Sequence, residues 1–93
     1  MNDLFEYAVF IARDNPAAAD HFLSAAHRSF ERLVRFPHLG SRREFNNPIF
    51  RGVRMWPIPG FRRHLVFYKS ISSGVEILRV IHASQDFWKV LEE

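Results

Sequence analysis

Cysteine is absent from all 93 residues, which excludes disulfides, thiol nucleophiles and thiolate metal sites together. That absence suits a reducing compartment, and the expected location is the cytoplasm. Glycine is scarce, with four residues, and no Gly-rich loop exists to cradle a phosphate. The longest apolar run, Tyr7 to Ala12, falls far short of the ~18 residues a membrane span needs. Met1-Asn2-Asp3 carries acid where a secretory signal needs Lys or Arg. The expectation is therefore a soluble protein without membrane contact. Repeats, low-complexity stretches and linkers are also missing, so the chain reads as one domain, 1–93. Its length can bury a core without staples, and an apolar fraction of 47% with ten Phe supplies the material.

Lysine is scarce too, and eleven of the thirteen cationic side chains are Arg. Guanidinium forks grip carboxylate or phosphate bidentately where Lys acts as a point charge. The net charge of +3 conceals a division. Residues 1–34 carry three Arg against five acids, a net of −2. Residues 35–82 carry Arg35, Arg42, Arg43, Arg51, Arg54, Arg62, Arg63, Lys69 and Arg79 against Glu44 and Glu76, a net of +7. The remainder, 83–93, returns to −2. A basic half of this kind is either a solvated surface or a docking face for nucleic acid or an acidic protein segment.

Asp3 followed by Glu6 has the form of a capping box, predicting a helix over roughly 4–13. That helix is apolar nearly all round, which predicts burial on more than one side. Asn15-Pro16 opens a second helix, running to about Arg35. Ala19, Phe22, Leu23, Ala26, Phe30 and Leu33 form its apolar stripe, and Asp20, Ser24, His27, Glu31 and Arg35 its polar face. Phe36-Pro37 stops it. A loop is expected over Pro37 to Pro48. Strands follow at Val53–Trp56, ended by Pro57-Ile58-Pro59-Gly60, at about Arg62–Lys69, and, after Ser72-Ser73-Gly74, at Val75–His82. The fold class is α+β: an N-terminal helical hairpin packed on a C-terminal antiparallel three-stranded sheet, with the other sheet face left to water or a ligand. Phe87, Trp88, Val90 and Leu91 form a short apolar tail, read as a helical turn.

The five histidines show no paired ligand spacing, so no metal and no cofactor are expected. Phosphodiester cleavage needs a base, an acid and a cation at the forming phosphorane. Arg62, His64, Arg79 and His82 are the candidates for those roles. Strand parity puts Arg62, His64, Val66 and Tyr68 on one face and sets Arg79 and His82 on opposite faces. The competing structural reading is that Arg79 pairs with a carboxylate and His82 caps the strand end against backbone.

Several strings, taken in order, resemble the RelE/ParE superfamily of toxins. They are Asp3-Leu4-Phe5-Glu6-Tyr7 with Ile11-Ala12, Asn15-Pro16-Ala17-Ala18-Ala19, Leu33 to Gly40, Arg54 before Trp56-Pro57, Leu65-Val66-Phe67-Tyr68, and Val75 to His82 followed by Asp86. The last strand looks closer to the ParE branch. The resemblance implies the toxin of a type II toxin–antitoxin system, neutralised by a co-encoded acidic antitoxin that wraps it as helix and strand. It implies DNA gyrase as the target, reached without catalysis. A RelE-like endoribonuclease acting on ribosome-bound mRNA is the alternative, and an inactive copy that only binds antitoxin is a third. Arg51, Arg54, Arg62, Arg63, Arg79, Phe87 and Trp88 are the candidates for antitoxin or target binding, in a homodimer or a hetero-oligomer with antitoxin. Gln85 stands where ParE-like sequences commonly place Arg. The family usually opens with a β-strand, whereas this sequence begins at the helix cap. The sheet edge so exposed is expected to be covered by an antitoxin strand, a second copy or upstream residues.

Overall fold

The structure, a computed structural model, describes residues 3–85. The apolar tail with Phe87 and Trp88 lies outside the described residues. Helix α1 spans Asp3–Asp14 and α2 spans Pro16–Arg35. Between them, the Asn15 side chain accepts the Ala18 N–H at 3.1 Å and Pro16 occupies the first helical turn, so the Asn-Pro pair turns the chain by capping chemistry. On α2, Phe22, Ala26 and Leu33 are fully buried, while Asp20, Ser24, His27, Glu31 and Arg35 are exposed.

Helix α1 departs from its pattern. Of its side chains only Ala8 is buried, and Phe5, Phe10 and Val9 are 71%, 65% and 41% exposed. The helix packs mainly against α2 and one strand at the sheet edge, so an apolar face remains uncovered. Asp3 also differs from the expected cap. It lies within the helix, and its carboxylate turns to the sheet.

Four strands form one antiparallel sheet in the order β1-β2-β3-β4, with β1 at Ser41–Arg42, β2 at Arg54–Ile58, β3 at Phe61–Ile71 and β4 at Gly74–His82. The three-strand expectation is corrected by β1, which pairs Ser41 with Met55 and Arg42 with Arg54. It sits inside the span read as loop, because two residues carry no alternation for a period to reveal. Strand β2 also extends through Pro57-Ile58, leaving Pro59-Gly60 as the turn, with Gly60 at φ +83°. Pro57 is tolerated because β1 covers only Arg54 and Met55, so its missing N–H faces an open edge.

The two sheet faces carry separate clusters. Phe22, Leu33, Ile58, Val66, Tyr68 and Val80 fill the helix side. Val53, Leu65, Phe67 and Ile81 fill the far side, where Phe45, Phe50 and Met55 pack over them. The far face is therefore partly roofed by the segment before β2, which includes a 3₁₀ turn at Pro48–Phe50.

Tyr68, wholly buried in β3, ties this segment to the sheet. Its hydroxyl accepts the Gly40 N–H and donates to the Pro37 carbonyl, both at 2.8 Å. A Cβ at Gly40 would lie 2.7 Å from the Tyr68 ring and 2.8 Å from the Met55 carbonyl oxygen, so this close approach requires glycine. Arg54 grips the same turn, donating to the carbonyls of Gly40 at 2.8 Å and His38 at 3.3 Å. Among the described residues no helix is long and apolar enough to cross a membrane.

Tyr68→Phe leaves a buried N–H and a carbonyl without their partner and should cost about 1–3 kcal/mol in urea unfolding. Gly40→Ala should cost at least as much, because a backbone carbonyl cannot swing aside. Unchanged stability in either variant would contradict this account of the turn.

Candidate functional site

Strand β4 is the sheet edge nearest α1, and the seam between them is built by side chains reaching for backbone. Val80 and His82, two residues apart, direct their N–H groups away from β3, as alternate residues of an edge strand do. The Asp3 carboxylate accepts the first at 3.2 Å and the Tyr7 hydroxyl accepts the second at 2.8 Å. Asp3 and Tyr7 are four apart on α1, hence on one helix face. Asp3 also holds Arg79 by two bonds, 2.7 Å from Nε and 2.9 Å from a terminal nitrogen. Tyr7 donates onward to the Gln85 side-chain oxygen at 2.8 Å. Burial raises the Asp3 carboxyl, but Arg79 and the Val80 N–H more than offset it and leave it below its ordinary value. Burial pushes the Tyr7 phenol up, so it remains a donor.

Along this seam runs an open groove of about 510 Å³, lined by Glu6, Tyr7, Phe10, Ile11, His64, His82, Ser84 and Gln85. His64 and His82 face each other across β3 and β4, their ring centroids 4.8 Å apart and their planes at 81°. His64 is wedged against Tyr7 at 4.9 Å and Phe22 at 4.8 Å. Burial, followed by the neighbouring His82, depresses its pKa to about 4, against a smaller opposing pull from the Phe61 backbone. His82 accepts the Ser84 N–H on Nδ1 at 3.0 Å, which places the proton of the neutral ring on Nε2.

The four residues proposed for phosphodiester cleavage are only half assembled. The histidines meet, but His64 is neutral at pH 7, so it can accept a proton yet does not stand ready as the acid. Arg79 is occupied by Asp3, as its structural reading holds. Arg62 is exposed in an irregular stretch of β3 where the register jumps: Pro57 pairs with Leu65, yet Ile58 pairs with Phe61. Parity consequently fails there, and Phe61 and His64 both pack on Phe22. Glu6 is the one formally charged side chain among the described residues lining the groove at pH 7, taking His as neutral, and it repels a phosphate. In the middle of β4, the register shift at Phe67/Tyr68 leaves Leu78 as the extra residue. Arg79 stands opposite Phe67, and its long side chain comes round the edge to Asp3.

The arginines proposed for binding also separate. Arg51, Arg62 and Arg63 are exposed, whereas Arg54 and Arg79 are engaged within the fold. Phe87 and Trp88 lie outside the described residues. Sequence reasoning missed the exposed face of α1 formed by Phe5, Val9 and Phe10. The all-round apolar pattern was its signal, but period alone cannot say whether the protein or a partner covers such a helix. It also missed Arg42, whose place opposite Arg54 depends on β1.

Comparison with known proteins agrees with this architecture. A family model described as "ParE toxin of type II toxin-antitoxin system, parDE" matches residues 1–87. A search of curated proteins finds no match.

The depressed pKa of His64 has a direct consequence for stability. Below about pH 6.5 the unfolded histidine takes up a proton that the folded one refuses until about pH 4. Stability is therefore full above that window and falls as pH drops through it. Urea unfolding between pH 7 and 4 should show this decline, and His64→Gln should flatten it. An equally steep decline in the variant would place its cause elsewhere.

Proposed function

We propose that this chain, which belongs to the ParE toxin family of type II toxin–antitoxin systems, inhibits DNA gyrase in the cytoplasm and is neutralised by a co-encoded acidic antitoxin. The observation that carries the reading is the uncovered apolar face of α1. Phe5, Val9 and Phe10 stand in water beside a groove with apolar walls, and contiguous exposed apolar surface marks protein–protein contact. A partner helix or strand laid along α1 would bury these rings, with acidic side chains meeting the exposed Arg62 and Arg63 beside His64. Antitoxin and gyrase would compete for that surface, which makes neutralisation direct.

The same geometry argues for action by binding. A histidine held neutral, a guanidinium committed to Asp3 and a glutamate in the groove do not supply acid, base and phosphorane cation together. The expected outcome is that purified toxin blocks gyrase supercoiling, that antitoxin restores it, and that His82→Ala retains most of the inhibition. Ribosome-programmed mRNA should stay intact beside it. Cut mRNA with untouched gyrase, lost in His82→Ala, would overturn the reading in favour of an endoribonuclease.

A further inference from the structure

A second surface lies at the other end of the sheet. Register places Arg42 on β1 directly opposite Arg54 on β2, and Arg54 opposite Tyr68 on β3, while the next residue, Lys69, stands opposite Glu76 on β4. Three adjacent strands thus bring cations to one end of the sheet, with strands spaced about 4.8 Å apart. Like charges at opposed positions are unfavourable. Arg51 and His38 join them around a groove of about 310 Å³, completed by Gly52 and Ser70. Among the described residues lining it there is no carboxylate, no aliphatic side chain, and no Phe, Tyr or Trp. Arg42 and Arg51 continue into an adjoining depression of about 330 Å³, where Glu44 is the one acid and Phe45, packed over the far-face cluster, the one aromatic ring among the described lining residues. Arg54 is already fixed by the carbonyls of Gly40 and His38, so one guanidinium is preset while Arg42 and Arg51 stand exposed.

The lining discriminates between polyanions. An acidic peptide that folds on binding also buries apolar side chains, and this groove has none to meet them. Single strands are held by bases stacked on aromatic rings, and the groove offers only His38. A double-helical backbone requires cations and donors alone, and Arg grips its phosphates bidentately. We infer that this groove, built by Arg42, Arg51, Arg54 and Lys69, binds the phosphodiester backbone of a nucleic-acid duplex without reading its sequence. The site is separate from the α1 surface and stands whether or not that surface binds antitoxin or gyrase.

Fluorescence anisotropy of the full chain with a short labelled duplex tests the assignment. Affinity should fall with salt at a log–log slope of about −3 to −4, as expected for three or four neutralised phosphates. The Arg42→Ala, Arg51→Ala double variant should lose about two units of that slope and at least about tenfold in affinity at low salt. Arg13→Ala on α1, which lines neither depression, should bind as the unmodified chain does. Matching affinity for DNA and RNA duplexes supports recognition of the backbone alone, and preference for DNA supports it with DNA as the source. Salt-independent binding by the unmodified chain overturns the proposal and requires no variant. So does tighter binding to single strands, or displacement of the duplex by polyglutamate at equal charge concentration, which would assign the groove to an acidic protein. An unchanged slope in the double variant, with its melting temperature preserved, overturns it as well.

Discussion

The docking of α1 on the sheet rests on two side chains that take over the backbone bonds of a strand edge. An edge strand presents unpaired N–H groups that must be satisfied, covered or discouraged. Here Asp3 accepts from Val80 and Tyr7 accepts from His82, while Arg79 neutralises the carboxylate that would otherwise stand alone. The carboxylate side chain is 13% exposed and its guanidinium partner 40%, so the acid is the more enclosed member and depends on the pair. Hydrogen bonds to a charged group such as Asp3 contribute about 1.5–3 kcal/mol each, in addition to the packing of α1 on α2. Two N–H groups of the β4 edge are thus satisfied from within the chain, by side chains of α1.

That seam determines what is left over. With Asp3 and Tyr7 turned to β4, Phe5 and Val9, four apart on another line of the helix, turn to water. The groove between α1 and the histidine pair follows from the same placement. At the opposite sheet edge, Tyr68 and Arg54 hold the turn at Gly40, and β1 follows directly from that turn. Arg42 thereby comes to face Arg54. The division of charge along the sequence becomes in part a division of surface, with apolar character on α1 and arginine at the β1 end, while Arg62 and Arg63 stand exposed next to the histidine pair.

The hairpin, the three longer strands and the α2 stripe were legible because each carries a period or a capping signal that local physics enforces. Asn15-Pro16 is the clearest case, since its side-chain bond to Ala18 involves only neighbours in sequence. The two-residue β1, the roof of Phe45 and Phe50 and the grip of Tyr68 on Gly40 were not legible. They depend on contacts between residues distant in sequence, such as Gly40 with Tyr68, that no local pattern encodes. The histidine pair was half legible: proximity in strands was clear, but the register that opposes His64 to His82, and the burial that keeps His64 neutral, arise only from packing. Arg79 with a carboxylate was anticipated, though not that the carboxylate would be Asp3, read as a helix cap.

The central claim is that α1, pinned to β4 through Asp3 and Tyr7, offers its outer apolar face to the protein partner. Amide hydrogen exchange of the free chain, compared with its complex with the proposed antitoxin, tests this most directly. The account predicts that Val80 and His82 are already protected in the free chain and change little, while exchange slows across Phe5 to Phe10 on binding. New protection along β4, with α1 unchanged, would contradict it.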